Sequence, residues 1–325
     1  MGLSESLRRR LKAAAEAFID PAALEPDDLS WEPPDDVAEE APRAPAPQEG
    51  MNHFAIVVLD SCRYDSFAAA KPKNMLRLGK LQKRYSYASW TGPSHYNLLT
   101  GLLPHPSPKK IYASEYYKED FGRFSDRLGA DVSFAQMLPS LWLPTFLKWK
   151  LGYRTGAKVS LPVLNEATGA NRDFDDYRLM PSHNDFKAMV RDLRFYADRP
   201  CFWMLNVGET HYPYTTPGQD SSDLPHLSGV HGVVKRLDGG GLVKDKDAPA
   251  WFDDALLKRL KGMQVDTVRY IDAAMEELYD TVPDNTWIVV TSDHGELFGE
   301  SGYFGHGPIQ HNKVYEVPFV EGRIR

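Results

Sequence analysis

Three short apolar runs decide most of what this chain can fold into: Phe54-Ala-Ile-Val-Val-Leu59, Cys201-Phe-Trp-Met-Leu-Asn-Val207 and Trp287-Ile-Val-Val290. Each is nearly continuous rather than alternating in polarity. That is the pattern of strands covered on both faces, as in parallel sheets flanked by helices. Each run also breaks abruptly into polar residues: Asp60-Ser-Cys-Arg63-Tyr-Asp65 after the first, Glu209-Thr-His211-Tyr-Pro-Tyr214 after the second, Thr291-Ser-Asp293-His294-Gly after the third. A helical stretch from about Trp251 to Asp280 separates the last two runs, with Leu256, Leu257, Leu260, Met263, Val268, Ile271, Met275 and Leu278 recurring on one face. The alternation of buried strand and long helix predicts an α/β fold, an open, doubly wound, mostly parallel sheet with helices on both faces. Ligands of such sheets collect at the carboxyl ends of the strands. The polar breaks are therefore the first place to look for chemistry.

An apolar fraction of 42% over 325 residues is ample for one large core. The net charge of −7 is unevenly spread. Residues 19–50 hold ten acidic side chains against Arg43 alone, together with seven prolines, a composition that cannot bury enough apolar area to offset chain entropy. They read as an acidic, Pro-rich linker or arm. Residues 1–18 place Leu3, Leu7, Leu11, Ala14, Ala15 and Phe18 at helical spacing, an amphipathic helix suited to docking on its own domain or on a second copy of the chain in a homo-oligomer, with an anionic membrane surface as the alternative. Residues 51–325 are then the catalytic domain, and their charges nearly balance, which leaves no electrostatic case for nucleic acid as a partner. Cys62 and Cys201 form no Cys-x-x-Cys pair and read as reduced, buried thiols. No run approaches the ~20 apolar residues of a membrane span, and the N-terminus lacks the apolar centre of a secretory signal. The expected location is cytoplasmic.

Between the first two runs, Ser89-Trp-Thr91-Gly-Pro-Ser94-His95-Tyr-Asn-Leu-Leu-Thr-Gly101 reads as a turn opening into a helix. Thr91 then stands at or just before a helix N-terminus, where free backbone N–H groups favour an anion. Residues 105–185 are less legible, with a helix expected near Val132–Lys150 and broken by Pro139 and Pro144. Asp185–Ala197 looks helical, and residues 218–248, including Gly239-Gly-Gly241, look like a mobile loop. Val314–Val320 is the last strand candidate, and Pro318 argues for an edge position or a strand start there. No internal repeat is present.

The strand and helix ends thus offer Asp60, Thr91, His211 and the Asp293-His294 pair, with His306 close to the pair in sequence. Two carboxylates, a hydroxyl and an imidazole make a hard-to-borderline donor set suited to Zn²⁺, Mn²⁺, Ca²⁺ or Mg²⁺. A cation there would lower the pKa of a coordinated Thr hydroxyl and polarise a bound oxyanion. Taken singly, each residue has an ordinary structural explanation as a cap or a satisfied core group. Their joint arrangement is the signal.

From about His53 onward the chain resembles the sulfatase-like branch of the alkaline phosphatase superfamily. Ile56-Val-Val-Leu-Asp60-Ser-Cys-Arg63-Tyr-Asp65 is similar to the first strand and metal-binding Asp. Thr91-Gly-Pro-Ser94-His95-Tyr-Asn-Leu-Leu-Thr-Gly101 resembles the nucleophile segment, Phe202–Val207 with His211-Tyr-Pro-Tyr214 the strand that delivers a substrate-facing His, and Thr291-Ser-Asp293-His294-Gly-Glu the metal-binding Asp-His pair. The departures narrow the reading. Sulfatases carry a Cys that becomes formylglycine where this chain has Thr91, and an Arg where it has His95. Thr at that position resembles the superfamily's phosphodiesterases, phosphonate hydrolases and phosphoethanolamine transferases, which pass through a phosphothreonine. Phe304-Gly-His306-Gly is similar to an element of the transferases.

Ser61 stands where sulfatases show a second Asp, and Val207 where two-metal members place another Asp. The resemblance therefore implies one divalent metal held by Asp60, Thr91, Asp293 and His294. His211 and His306 would face substrate oxygens or the leaving group, or hold a second metal. Arg63 and His95 would support substrate charge or be structural. The implied activity is metal-dependent hydrolysis, or transfer, of phosphate or phosphonate esters of a small soluble substrate. A sulfuric ester hydrolase without formylglycine and a non-catalytic scaffold are the alternatives. Family members continue into a smaller C-terminal sheet beyond the point where this chain ends, so the site is expected to be more open on that side or covered by the N-terminal arm or a second subunit.

Overall fold

The computed structural model describes residues 45–106, 113–133, 136, 141–225, 235–236 and 252–324. The helix expected at 1–18, the arm up to residue 44 and the Gly239–Gly241 loop lie outside the described residues. The elements in chain order are β1 (His53–Leu59), α1 (Tyr64–Ala70), β2 (Gln82–Tyr85), α2 (Thr91–Leu99), α3 (Ala113–Leu128), α4 (Leu143–Leu151), β3 (Arg154–Val159), β4 (Asp176–Leu179), α5 (Phe186–Arg191), β5 (Cys201–Val207), β6 (Lys235–Arg236), α6 (Asp254–Thr281), β7 (Thr286–Thr291), β8 (Leu297–Phe298), β9 (Tyr303–Gly305), α7 (Asn312–Tyr315) and β10 (Glu316–Arg323).

Seven strands form the main sheet in the order β2-β10-β7-β1-β5-β3-β4. β1 pairs in parallel with β5 and β7, β3 with β4 and β5, and only β10 runs antiparallel, to β2 and β7. The three apolar runs are the three central strands, buried along their length on both faces. The pleat divides their side chains. Ala55, Val57 and Leu59 join one core with residues of α1, α5 and α6, whereas Phe54, Ile56 and Val58 join a second core with residues of α2, α3 and α4. At roughly 1.5–3 kcal/mol for each large apolar side chain removed from water, this two-sided burial is what holds the central strands in register. A three-stranded sheet, β6-β9-β8, stands beside the main one.

Helix α6 starts where Asp253 accepts a hydrogen bond from Leu256 N at 2.7 Å, with Asp254 in its first turn, as an N-cap and the helix dipole favour. Its buried stripe includes the amide of Gln264, which donates to Ser61 O at 3.0 Å and Thr210 O at 3.1 Å. That side chain ties the loop after β1 to the loop after β5.

Three expectations change. Pro144 does not break a helix but starts one, lying in the first turn of α4, where the missing N–H costs nothing. The helix expected over 185–197 ends at Arg191. β10 is not an edge strand, because β2 pairs outside it. Pairing with β7 begins only at Phe319, so Pro318 sits where that neighbour asks for no N–H.

Candidate active site and metal centre

The parallel register builds the site before any side chain is considered. Val58 lies opposite Thr291 of β7 and opposite Asn206 of β5, so the chain leaves the sheet with Asp60 and Asp293 side by side. Both carboxylates are buried, at 0% and 1% exposure. Asp293 Oδ1 accepts from Ser61 N at 3.0 Å and from His294 N at 2.9 Å. Asp60 Oδ1 accepts from Ser61 Oγ at 3.2 Å and Thr91 Oγ1 at 3.4 Å, and its Oδ2 accepts from Asn206 Nδ2 at 2.7 Å. Asp293 Oδ2 is left without a hydrogen-bond partner. Burial, and then the neighbouring Asp60, push the Asp293 carboxyl well above the usual carboxylate range.

The imidazole of His294 faces that orphaned oxygen. Its Nδ1 lies 2.9 Å from Gly295 O, which makes Nδ1 the protonated nitrogen. Nε2 then points a lone pair into the cluster, 3.2 Å from Asp293 Oδ2 and 3.4 Å from Thr91 Oγ1. Burial first, and then the adjacent His306, hold this ring well below its ordinary pKa, so it is neutral. A buried carboxyl held above its usual range and an imidazole lone pair 3.2 Å away leave room between them for one positive charge, a proton or a cation. The donor set of Asp60, Thr91, Asp293 and His294 fits a divalent ion on chemistry as well as placement.

His95 is drawn into the same cluster: Asp60, His95 and Asp293 each bring a ligand atom within 4.8 Å of the others. The hydrogen bonds favour a different role for it. Nδ1 is 2.9 Å from Thr91 O and so carries a proton, while Nε2 lies 3.3 Å from Asn206 Nδ2 and accepts from it. With both nitrogens engaged and no exposure, His95 holds Thr91 and Asn206 in place rather than reaching a substrate. This differs from the substrate-supporting position considered for it.

Thr91 is the first residue of α2, at the helix N-terminus expected from the sequence. Pro93 lacks an N–H, and the first intrahelical donor is Ser94 N to Trp90 O at 3.2 Å. The N–H groups of Thr91 and Gly92 face the end of the helix beside the Thr91 hydroxyl, an arrangement that favours an anion.

Two further imidazoles border the cluster. The His306 ring centroid is 4.2 Å from that of His294 and 5.4 Å from that of His211. His211 Nδ1 lies 2.9 Å from Tyr212 O, and His306 Nδ1 lies 2.9 Å from Glu296 Oε1. Arg63 is not brought in. Its guanidinium forms a fork on Asp65 at 2.8 and 2.7 Å and donates to Glu300 at 2.6 Å and to Glu296 O at 3.3 Å. Those ion pairs make it a structural anchor of the loop after β1, and they hold the Asp65 carboxyl well below the usual range against the opposing effect of burial. Its place differs from the substrate contact considered above.

Several residues of the site carried no signal in the sequence. Asn206 lies inside an apolar strand and reads as core. Its Oδ1 accepts from Ser160 N at 3.1 Å and Leu161 N at 3.2 Å, which fixes which end of the amide faces Asp60. Ser292 Oγ accepts from Cys62 N at 3.0 Å and donates to His294 O at 2.6 Å. Glu296 and Tyr214 lie within the polar breaks, where their pairing could be found only in three dimensions.

A mostly parallel, seven-stranded α/β sheet with a paired-carboxylate, imidazole and hydroxyl cluster at the ends of its central strands defines an alkaline phosphatase/sulfatase-like class of protein. The sulfatase family model matches residues 56–320, and the chain belongs to that family. Among solved structures, a 2-O GAG sulfatase is similar over 84% of this chain and 64% of its own, with 12% identity and a TM-score of 0.50. A putative sulfatase from Bacteroides thetaiotaomicron is similar over the same shares, with 11% identity and a TM-score of 0.50. The soluble domain of lipooligosaccharide phosphoethanolamine transferase A from Neisseria meningitidis is similar over 86% and 79%, with 13% identity and a TM-score of 0.47. No protein of curated function matches the sequence. Among the described residues, no helix is long and apolar enough to cross a membrane.

Proposed function

We propose that this protein is a metal-dependent hydrolase or transferase of phosphate or phosphonate esters, with Thr91 as its nucleophile. The observation that carries the reading is the place of the Thr91 hydroxyl: at the N-terminus of α2, 3.4 Å from both Asp60 Oδ1 and His294 Nε2. A divalent cation held by Asp60, Thr91, Asp293 and His294 would supply Lewis acidity, favouring the alkoxide and polarising a substrate oxygen. The chain's own residues do the rest. Asp60 Oδ1 is an acceptor for the hydroxyl proton, and the free N–H groups at the start of α2 face the developing negative charge. Thr91 Oγ1 forms a bond to phosphorus as the bond to the leaving oxygen breaks, and a proton delivered from the His211–His306 side neutralises that oxygen. Water, or an acceptor alcohol, then attacks the phosphothreonine and restores the Thr91 hydroxyl. Association through residues 1–18, a cytoplasmic location and a small soluble substrate belong to the same reading, and a second metal held by His211 and His306 is the alternative to proton delivery from that side.

The test is turnover and intact mass. With bis(4-nitrophenyl) phosphate and added Zn²⁺ or Mn²⁺, the wild type should release nitrophenolate and show a trapped adduct on Thr91. Thr91→Ala should show no adduct and lose at least about 10³-fold in rate. Equal turnover by Thr91→Ala would end the proposal, and preferential turnover of 4-nitrophenyl sulfate would move the substrate class to sulfuric esters.

A further inference from the structure

Of the four imidazoles in and around the site, His211, His294 and His306 share one habit: each has its Nδ1 on an oxygen, so that Nε2 is the nitrogen left for chemistry. For His294 and His211 that oxygen is the carbonyl of the next residue in the chain, Gly295 or Tyr212. Local backbone is enough to orient them. His306 is different. It sits between Gly305 and Gly307, with φ of +98° and +132°, and its Nδ1 meets side chains, Glu296 Oε1 at 2.9 Å and, farther off, Ser61 Oγ at 3.4 Å.

Glu296 is itself held from three directions. Its second oxygen, Oε2, accepts a short hydrogen bond from the Tyr214 hydroxyl. Its backbone carbonyl accepts from Arg63 Nη1 at 3.3 Å. Its side chain is 1% exposed and Tyr214 is 1% exposed, so water does not compete for either bond. Burial and the adjacent Glu296 charge push the Tyr214 phenol well above its ordinary value, which keeps it a donor. A carboxylate with a phenol on one oxygen has its other oxygen free only to accept. Nδ1 of His306 must then carry the proton.

We infer that Glu296, fixed by Tyr214, is a positioning residue that locks His306 in the Nδ1–H tautomer and presents its Nε2 to the reacting group. This rests on the proposed role of His306 in binding or protonating the leaving oxygen. A carboxylate does what a carbonyl cannot: besides selecting the tautomer, it stabilises positive charge on the ring when the ring faces developing negative charge. Of the three rings, the one with such support is the one held by side chains rather than by the carbonyl of the next residue.

Substitution by Gln gives a determinate expectation. The Gln amide has one acceptor and one donor end. If its oxygen takes the Tyr214 hydroxyl, its NH₂ meets His306 Nδ1, and no buried donor is left unpaired; the opposite orientation strands the phenol proton. Glu296→Gln should therefore move His306 to the Nε2–H tautomer.

The experiment is two-bond ¹H–¹⁵N correlation on ¹⁵N-histidine-labelled full-length chain after EDTA treatment, with His306 assigned by its loss in His306→Asn. The wild type should show His306 as Nδ1–H and Glu296→Gln as Nε2–H. Adding Tyr214→Phe to Glu296→Gln should bring back the Nδ1–H form, because the amide oxygen is released to the ring. Glu296→Asp, which keeps the charge but withdraws it by one methylene, should lose the Nδ1–H preference and serves if the Gln variant folds poorly. With bis(4-nitrophenyl) phosphate, kcat of Glu296→Gln should fall by about 10–100-fold, the range for loss of an orienting carboxylate, with KM little changed. An unchanged Nδ1–H signal in both single variants overturns the inference. A wild type that turns over no phosphodiester defeats the functional reading instead, and the tautomer measurement still decides this one.

Discussion

Replacing Asp293 by Asn should stabilise the metal-free protein and abolish its response to metal. In the wild type, Asp293 Oδ2 is buried without a partner, beside a second buried carboxylate on Asp60 and 3.2 Å from the lone pair of His294 Nε2. An unpartnered buried polar atom costs about 1–3 kcal/mol. An Asn Nδ2 in the place of Oδ2 would donate to His294 Nε2 and need hold no proton against the neighbouring Asp60 charge, so most of that cost should be recovered. For a chain of this size, about 1–3 kcal/mol corresponds to a rise in Tm of roughly 2–5 °C. Metal acts in the opposite sense. Zn²⁺ at about 100 times its Kd adds about 2.7 kcal/mol to the wild type, roughly 4–5 °C, and should add almost nothing to Asp293→Asn, which offers a neutral amide where the cation needs a carboxylate. Differential scanning calorimetry at pH 7.5, with EDTA and with Zn²⁺, reads all four states, and the two melting curves should cross over. A variant that melts lower than wild type in EDTA and still gains as much from Zn²⁺ would refute both the cost assigned to Oδ2 and the placement of the metal.

Two further outcomes follow from buried charge. Burial raises the Glu209 carboxyl to about 7, with one oxygen on Phe186 N at 2.8 Å and the other unpartnered. Because the folded value lies above the unfolded one near 4.5, the folded state holds the proton longer. The stability it contributes is therefore full below about pH 4.5 and is lost as pH rises through 7, about 3 kcal/mol in all. Glu209→Gln should flatten that slope in urea unfolding between pH 5 and 8, and an unchanged slope would rule the assignment out. Arg63→Met should cost about 3 kcal/mol, the low end for breaking a buried pair because Asp65 and Glu300 are 31% and 30% exposed, while leaving the Zn²⁺-dependent gain in Tm intact. A variant of unchanged Tm but raised KM would instead make Arg63 a substrate contact.

The site divides cleanly by how far apart in sequence its parts interact. Asp60, Thr91, Asp293 and His294 were legible because each follows a local break from apolar to polar at the end of a strand or start of a helix. Arg63 and His95 were visible as residues but ambiguous in role. An Arg beside an Asp two residues on, and a His one turn into a helix, can as well anchor a loop as touch a ligand. Only the positions of Glu300 and Asn206, 237 and 111 residues away, turn those two side chains toward the protein.

What the sequence determined by itself is the sheet and its active end. Continuous β-branched runs cannot expose either face to water, so they must become central strands with helices on both sides, and the polar residues that end them must lie together at one edge of the sheet. Periodicity also marked α6, though not its one buried amide. What only the tertiary structure decided is the partnering inside that edge: that the parallel register sets Asp60 beside Asp293, that Asn206 bridges Asp60 and His95, and that Glu296 and Tyr214 stand behind His306. The physical reason is that hydropathy and helix or strand period report whether a side chain is buried, whereas the direction of a hydrogen bond is set by which other strand end arrives opposite it.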